Sequence, residues 1–424
     1  MTVKRFDAGS WRESPWSRRR FDLSQFAVER VVVSEICVRV QREGDSALRE
    51  LGKKFDGWAP AQGESFAVPQ AKLAEAASRL ELADRSALEF AAARIRDFHE
   101  RQLVQPASVG SESLRLVTRP VKRAGLYAPG GRAAYPSTVL MTVIPARVAG
   151  VAEVALATPP RSDGSVTPAI LAAAHIAGVD AVYRIGGAQA IAAFAYGTES
   201  VPRVDVVAGP GNIYVTLAKK EVFGSVGVDG IAGPTEIALV ADGDARPDFV
   251  AADLAAQLEH DPLAWGVLVT DSAKLADRVE EELESLVLGL ERSEIIRQAH
   301  CCVVVVDHLE EAIRIVDDFA PEHLLIVAAE GERIAARVQN AGAVFVGPYA
   351  TVPLGDYTAG PNHTLPTSGA ARYASPLGVQ TFLKRTSVLS LDREDLKTLR
   401  DATVRLAELE GLGAHAHAVE VRLE

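Results

Sequence analysis

The chain has 424 residues, of which 48% are hydrophobic and 24% are charged, and its formal net charge is −11 at pH 7. This length allows two or three domains of ordinary globular composition. The acidic balance argues against nucleic acid or an anionic membrane as the main partner. No apolar run approaches the roughly 20 residues that are needed to cross a bilayer.

The N-terminal stretch at residues 17–21 resembles a twin-arginine export signal. Polar residues interrupt the apolar segment that must follow such a signal, so we expect no export and a cytoplasmic location. Three cysteines cannot form a disulfide framework. Cys301 and Cys302 open an apolar run, which predicts a buried strand with sulfur as a small hydrophobe.

Residues 26–100 predict mainly helices. Apolar positions recur three and four apart over residues 28–42, 46–55 and 71–103, and the last stretch predicts one long helix or two. Residues 60–68 predict a connector with a short strand.

From about residue 124, short apolar runs alternate with helical patterns, which predicts βαβ units and mainly parallel sheets. The predicted strands and helices of this part cover residues 151–157, 170–177, 181–185, 188–196, 204–208, 236–241, 265–270, 273–286, 302–306, 323–327 and 343–346. Two α/β domains are the simplest architecture. After residue 372 the pattern predicts helices again, with 399–410 as the last one, ended by Gly411 and Gly413.

Four connections are rich in glycine, at residues 127–131, 185–189, 208–212 and 232–236. Turns of this kind lie at the carboxyl edge of an open parallel sheet, where ligands bind, and glycine lets the backbone approach a ligand closely. None has the G-x-G-x-x-G pattern of a dinucleotide-binding turn. Each alone is typical of any α/β protein, but four of them together favour a nucleotide or another small ligand.

Four segments carry side chains that bind metals or move protons, at residues 257–260, 322–323, 356–363 and 410–415. In a predicted helix over 253–260, Gln257 and His260 share a face that can offer an amide oxygen and an imidazole to a metal. A loop that leads into a strand can place Glu322 and His323 in a cleft, where histidine can act as a base near neutral pH.

Each segment also has a structural interpretation. The helix face can be solvated, and Glu322 and His323 can be a cap and a packed ring. Asp356 lies in a stretch predicted to be irregular, where an aspartate is often an Asx-turn residue, although functional residues concentrate in such loops. His415 follows a helix end and can interact with its last carbonyls.

The sequences of these segments resemble those of histidinol dehydrogenase. The matching motifs, in the same order as in the family, are at residues 125–131, 136–141, 209–212, 232–236, 259–262, 321–324, 355–357, 360–363 and 410–412. The resemblance runs from about residue 30 to 420. It implies a zinc-dependent enzyme that oxidises L-histidinol through L-histidinal to L-histidine and reduces two NAD, in the last two steps of histidine biosynthesis.

The resemblance also implies site residues. The ligands of one zinc ion per subunit would be Gln257, His260, Asp356 and His415. His323 would take the hydroxyl proton, and Glu322 would activate the water that attacks the aldehyde. The substrate contacts would be the four zinc ligands together with Thr235, His323, His363 and Glu410, and the NAD contacts would be Tyr127, Gln189 and Asn212. Thr235 stands where the family often has serine, and threonine keeps the hydroxyl.

The fold implied by the family is α/β, with two incomplete Rossmann-like domains, mainly parallel sheets and small N-terminal and C-terminal helical segments. The boundaries expected here are an N-terminal extension at 1–24, a first domain at 25–126 and 235–377 with most metal and catalytic residues, a second domain on the NAD side at 127–234, and a C-terminal segment at 378–424. That last segment would reach the partner subunit of a homodimer, so that Glu410 and His415 complete the partner's site.

Two alternatives remain open from the sequence. A paralogue could use the same scaffold on another small primary alcohol, such as a sulfonated diol, but an anionic substrate would favour additional Arg or Lys where this chain has Glu410, Asp356 and His363. A non-catalytic zinc- or nucleotide-binding module would have no need for Glu322 and His323 as proton-transfer groups.

Overall fold

The structure is a computed structural model that describes residues 3–17, 23–103, 113–130 and 134–424. The chain forms two compact units, one of Met1–Leu103 with Val121–Phe382 and one of Val104–Pro120 with Leu383–Glu424. Within the described ranges, no helix is long and apolar enough to cross a bilayer. Residues 18–21 of the basic N-terminal stretch and Gly131 of the first glycine-rich connection lie outside these ranges.

The helices and strands are, in chain order, β1 (Val3–Asp7), α1 (Ala8–Glu13), a 3-10 turn (Leu23–Phe26), α2 (Ala27–Glu43), α3 (Asp45–Leu51), a π-helical turn (Gly52–Asp56), α4 (Gln70–Arg79), α5 (Leu82–Glu100), β2 (Leu114–Pro120), β3 (Arg123–Tyr127), α6 (Pro136–Val148), β4 (Glu153–Thr158), α7 (Pro168–Ala177), β5 (Ala181–Arg184), α8 (Gly187–Tyr196), β6 (Val206–Ala208), α9 (Ile213–Val222), β7 (Gly227–Val228), β8 (Glu236–Ala241), α10 (Pro247–Leu258), β9 (Trp265–Thr270), α11 (Ala273–Leu288), α12 (Ser293–Gln298), β10 (His300–Val305), α13 (Glu310–Phe319), β11 (His323–Val327), α14 (Gly331–Ala335), β12 (Ala343–Val346), α15 (Val352–Tyr357), two 3-10 turns (Ala370–Arg372 and Val379–Phe382), β13 (Leu383–Leu389), α16 (Arg393–Leu409) and α17 (Gly413–Glu420).

The larger sheet of the first unit has six parallel strands in the order β1-β10-β9-β8-β11-β12. Strands β8 to β11 are apolar runs that are almost fully buried, as expected where helices cover both faces of a parallel sheet. Helices α10, α11 and α12 pack on one face, and α13 and α14 pack on the other together with Trp11.

The smaller sheet has five parallel strands in the order β5-β4-β3-β6-β7. Helices α2, α3, α8 and α9 share one apolar core with it. Helix α6 packs on β3 and β4, α5 packs on α6, and α7 contacts both α4 and α6. The α/β class with mainly parallel sheets is therefore confirmed, while the expected domain boundaries stay a prediction.

The second unit pairs β2 with β13 in antiparallel register and packs α16 against α17. Asp392 starts α16, because its side chain accepts hydrogen bonds from two N–H groups of the first turn. Arg400 of α16 pairs with Glu420 of α17. Glu410 ends α16 and His415 lies on α17, and both side chains are exposed in the single chain.

Some local predictions were wrong. Residues 60–68 contain no strand, only one bridge between Ala67 and Tyr183. For the stretch 71–103, predicted as one long helix or two, the second alternative is the one observed, because Leu80 and Glu81 take an extended backbone between the two helices. The helix over 399–410 begins earlier, at Arg393, and is not the last. The left-handed Gly411 turns the chain and α17 follows it, so Gly413 starts a helix rather than ending one.

Candidate active site

A cavity of about 330 Å³ lies in the first unit where its two sheets meet. Its walls are formed by Pro129, Tyr135, Ser137, Thr138, Pro210, Gly211, Asn212, Thr235, His260, Glu322, His323, Asp356, Tyr357 and His363. The smaller sheet contributes residues after β3 and β6, at its carboxyl edge, where we expected the ligand. The larger sheet contributes residues at the amino ends of β8 and β11, so the expectation of a carboxyl edge is wrong for the connection 232–236.

His323 is the first residue of β11, and its imidazole lies between two carboxylates. Nδ1 is 3.7 Å from Oε2 of Glu322, and Nε2 is 3.6 Å from Oδ1 of Asp356. Neither nitrogen is within hydrogen-bonding distance of a partner in the described part of the chain, although the side chain is only 5% exposed. A buried ring whose two nitrogens are unpaired is suited to receive a proton from a bound molecule.

The charges around this ring shift several pKa values. Burial alone would lower the pKa of His323, but the negative charges of Glu322 and Asp356 more than offset it and raise the pKa. Burial raises the pKa of Glu322, which the neighbouring His323 only partly opposes. Burial would also raise the pKa of Asp356, but His323, His363 and His260 together lower it. Asp356 is therefore the stable anion of the group, and Glu322 is the carboxylate more readily protonated.

A chain of hydrogen bonds connects Gln257 to Glu322 through Thr235. The amide nitrogen of Gln257 donates to Oγ1 of Thr235, and the hydroxyl of Thr235 donates to Oε2 of Glu322 at 2.5 Å. The backbone N–H of Glu236 donates to the same oxygen at 3.1 Å. These bonds fix the Glu322 carboxylate and leave the amide oxygen of Gln257, rather than its nitrogen, for any ligand.

The elements that carry His260 and Asp356 differ from the prediction. Helix α10 ends at Leu258, so His260 lies just beyond it, although its N–H still reaches the carbonyl of Gln257 at 3.4 Å. Asp356 lies on the short helix α15 rather than in an irregular loop. Gly355 allows this helix to lie close to β12, since a Cβ at this position would be only 2.6 Å from the ring of Phe345.

His363 is held by two hydrogen bonds. Its Nδ1 lies 2.9 Å from the carbonyl oxygen of Asp356 and therefore donates to it. Its Nε2 is then the acceptor for the hydroxyl of Thr138, 3.3 Å away. Burial lowers the pKa of His363, which favours this neutral form. Thr138 was not among the predicted site residues, although it lies in the motif at 136–141.

The predicted metal ligands lie in different units of the chain. Gln257, His260 and Asp356 belong to the first unit, and His415 belongs to the second. No group of three or more His, Cys, Asp or Glu residues is arranged to hold a metal in the described ranges. The first unit supplies only an imidazole, a carboxylate and an amide oxygen of the predicted set. These donor types fit zinc, with a further ligand still required.

The predicted NAD contacts lie at the carboxyl edge of the smaller sheet. Tyr127 ends β3, and its hydroxyl accepts the N–H of Gly187 at 3.0 Å. Gln189 lies in the first turn of α8 and donates to Asp56 at 3.3 Å. Asp56 was not predicted, and it also accepts the N–H of Gly186. Asn212 caps α9 through two N–H groups and is the predicted NAD contact that lines the cavity.

The loop before Asn212 is fixed from both sides. Gly209 has a φ of +117°, and its N–H and carbonyl are bonded to the buried pair of Asp229 and Lys219. On the other side, a Cβ at Gly209 would be 2.2 Å from the carbonyl oxygen of Tyr127. Glycine is therefore required at this position by both conformation and space.

We expect Gly209→Ala to lower the free energy of unfolding by about 3 kcal/mol and to weaken NAD binding, because the loop must move away from Tyr127. Gly224→Ala is the matched control, since Gly224 also has positive φ (+99°) but has no atom within 4 Å of its Cβ position. It should cost about 1 kcal/mol and leave NAD affinity unchanged. Denaturant unfolding and NAD titration measure both effects, and equal losses in the two variants would contradict the prediction.

Comparisons with known proteins identify the family of this chain. The family model described as histidinol dehydrogenase matches residues 18–423. The histidinol dehydrogenase of Parasynechococcus marenigrum (strain WH8102) is 49% identical over 411 residues, which cover 96% of this chain and 93% of that protein. The histidinol dehydrogenase of Aquifex aeolicus (strain VF5) is 48% identical over 395 residues, which cover 92% of this chain and 91% of that protein.

The crystal structure of histidinol dehydrogenase from Elizabethkingia anophelis has the same fold, with a TM-score of 0.90 at 33% identity. It aligns with 100% of this chain and 98% of its own. A family model that matches nearly the whole chain, relatives near half identity and a full-length structural match all agree. The chain therefore belongs to the histidinol dehydrogenase family, whose members are oxidoreductases of histidine biosynthesis.

Proposed function

We propose that this protein oxidises L-histidinol through L-histidinal to L-histidine, with two NAD as hydride acceptors and one zinc ion per subunit, in the cytoplasm. The observation that supports this most directly is the buried imidazole of His323, 3.6–3.7 Å from the carboxylates of Asp356 and Glu322, in a cavity that Asn212 also lines. A general base (His323), a second proton acceptor (Glu322) and a residue on the cofactor side (Asn212) thus line the same cavity. Such a combination suits an alcohol oxidation followed by addition of water.

The metal would be held by Gln257, His260 and Asp356 of one subunit. When bound, zinc would orient the substrate through its imidazole and amine. As the family resemblance implies, the fourth ligand would be His415 of the partner subunit, and the exposure of His415 in the single chain is compatible with this role. A homodimer is then required for a complete site. Glu410, also exposed in the single chain, would likewise reach across from the partner subunit and contact the cationic amine of the substrate.

In the first oxidation, His323 takes the proton of the substrate hydroxyl while the carbon loses a hydride to NAD. The negative charges of Glu322 and Asp356 favour the imidazolium that forms. Thr235 and His363 would contact the substrate, and both line the cavity. The product of this step is the aldehyde, with one NADH and one proton released.

In the second oxidation, Glu322 accepts a proton from water as the oxygen attacks the aldehyde carbon. The hydrated aldehyde then loses a hydride to a second NAD and gives the carboxylate, with a second NADH and two protons released over this oxidation. The hydrogen bonds from Thr235 and the N–H of Glu236 hold one oxygen of Glu322 in place, which leaves its other oxygen for the water. On the cofactor side, Tyr127, Gln189 and Asn212 would contact NAD.

The test is to measure NADH formation by the purified dimer with L-histidinol before chelation, after chelation and after zinc is restored. We expect two NADH per histidinol, loss of at least about 90% of the rate on removal of the metal, and recovery with zinc. If histidinol is inert while zinc and NAD still bind, the substrate is another primary alcohol, and a sulfonated diol is the first to assay. A rate that does not depend on zinc would contradict the metal's role.

A further inference from the structure

A buried bridge outside the cavity connects the two helices that carry predicted metal ligands. The hydroxyl of Thr351 donates to Oδ1 of Asp253, which is 98 residues away in the sequence. Burial raises the pKa of this carboxyl, and the hydroxyl of Thr351 and the backbone N–H of Val352 partly oppose the shift. Asp253 is only 7% exposed. Neither Asp253 nor Thr351 lines the cavity or contacts its proton-transfer groups.

The positions of Asp253 and Thr351 in the sequence show which predicted ligands the bridge connects. Asp253 lies on α10, one helical turn before Gln257, and His260 follows directly after the helix. Thr351 immediately precedes α15, the helix that carries Asp356. The bridge therefore joins the support of Gln257 and His260 to the support of Asp356, the three ligands that one chain would contribute.

The two helices do not depend on the bridge equally. Helix α10 has twelve residues, and its buried Leu254 and Leu258 pack near Gly266 of β9. Helix α15 has only six residues, too few to be stable without tertiary contacts. The Thr351 side chain does not cap its own helix. Its hydroxyl instead donates to Asp253, so the N-terminus of α15 is held to α10 by this bond.

We propose that Asp253 and Thr351 are positioning residues for the metal, which set the separation between the Gln257–His260 pair and Asp356. This inference rests on the proposed zinc site. Zinc binds its ligands at about 2.0–2.2 Å in a defined geometry, so a shift of a few tenths of an ångström in α15 lowers affinity. Partners beyond the ligands themselves typically change metal affinity by about 10- to 100-fold.

The experiment measures metal binding rather than catalysis. Zinc affinity is determined by competition with a chelator, and the absorption spectrum of the Co²⁺-loaded dimer reports the ligand geometry. We expect Thr351→Val to weaken zinc binding by about 10-fold and to change the Co²⁺ spectrum. Thr351→Ser keeps the hydroxyl and should restore both. If Thr351→Val does not fold, Asp253→Asn, which keeps the size of the side chain, is measured in its place.

The matched control is Thr198→Val. Thr198 donates at 2.7 Å to another buried aspartate, Asp45, 153 residues away, and neither residue borders the cavity. This variant should lower stability as Thr351→Val does, with zinc affinity unchanged. Zinc affinity within twofold of wild type in Thr351→Val, or an equal loss in Thr198→Val, would overturn the inference alone. A wild-type dimer that binds no zinc would overturn the proposed metal site and the inference with it.

Discussion

Replacement of His323 by asparagine should lower kcat for histidinol oxidation by about 10³-fold, the typical contribution of a general base. Asparagine occupies a similar volume but cannot accept the hydroxyl proton at neutral pH. Because His323 is not among the predicted zinc ligands, the metal content of the variant should equal that of wild type. Steady-state NADH formation and zinc analysis of the same preparation give both numbers.

The control for this variant is His99→Asn. His99 is also a fully buried histidine, but it lies on α5, and its Nδ1 donates to the carbonyl of Ile95 at 2.8 Å. Its replacement should reduce stability while leaving kcat within about twofold of wild type. If His323→Asn keeps more than a tenth of the wild-type kcat, His323 is not the base.

The sequence predicts best those elements that are buried on both faces. The predicted bounds of β8, β9 and β11 agree with the structure, because a central parallel strand is a short continuous apolar run with clear ends. Strand β13 was missed for the opposite reason. It is exposed and largely polar, and its partner β2 lies more than 260 residues earlier, so local pattern carries no sign of the pairing.

The identities of the site residues came from resemblance, and their arrangement from the fold. Nothing in the spacing of Glu322, His323 and Asp356 indicates that the ring lies between the two carboxylates. That arrangement results from strand order, which puts β11 next to β8 and β12, and from the contact of Gly355 with Phe345. Asp56 and Asp253 were missed because a single buried aspartate in a helical pattern has no distinguishing neighbour in sequence.

The position of the cavity at the edges of the sheets illustrates the same limit. Glycine-rich turns after β3 and β6 follow the rule that ligands bind at the carboxyl ends of parallel strands. Thr235 and His323 lie at the amino ends of their strands. A rule about one sheet cannot predict how a second sheet of the same unit faces it, since that depends on long-range packing.

Replacement of Glu322 by glutamine should stop the reaction at the aldehyde. Glutamine keeps the size of the side chain, and its carbonyl oxygen can still accept the hydroxyl of Thr235 and the N–H of Glu236. It cannot take a proton from water. We expect the rate of histidinal oxidation to fall by about 10³-fold, and that of histidinol oxidation to the aldehyde by less than about 10-fold.

The NADH yield separates these two effects. With an aldehyde trap, Glu322→Gln should give one NADH per histidinol. Without the trap, wild type should approach two. Asp45→Asn is the control for loss of a buried carboxylate, since Asp45 is bonded to Thr198 and Ser200 and does not border the cavity. It should still give two NADH. If Glu322→Gln also gives two, at a wild-type rate from histidinal, water is activated by another group. If both oxidations slow equally, Glu322 acts on His323, whose imidazolium it stabilises, rather than on water.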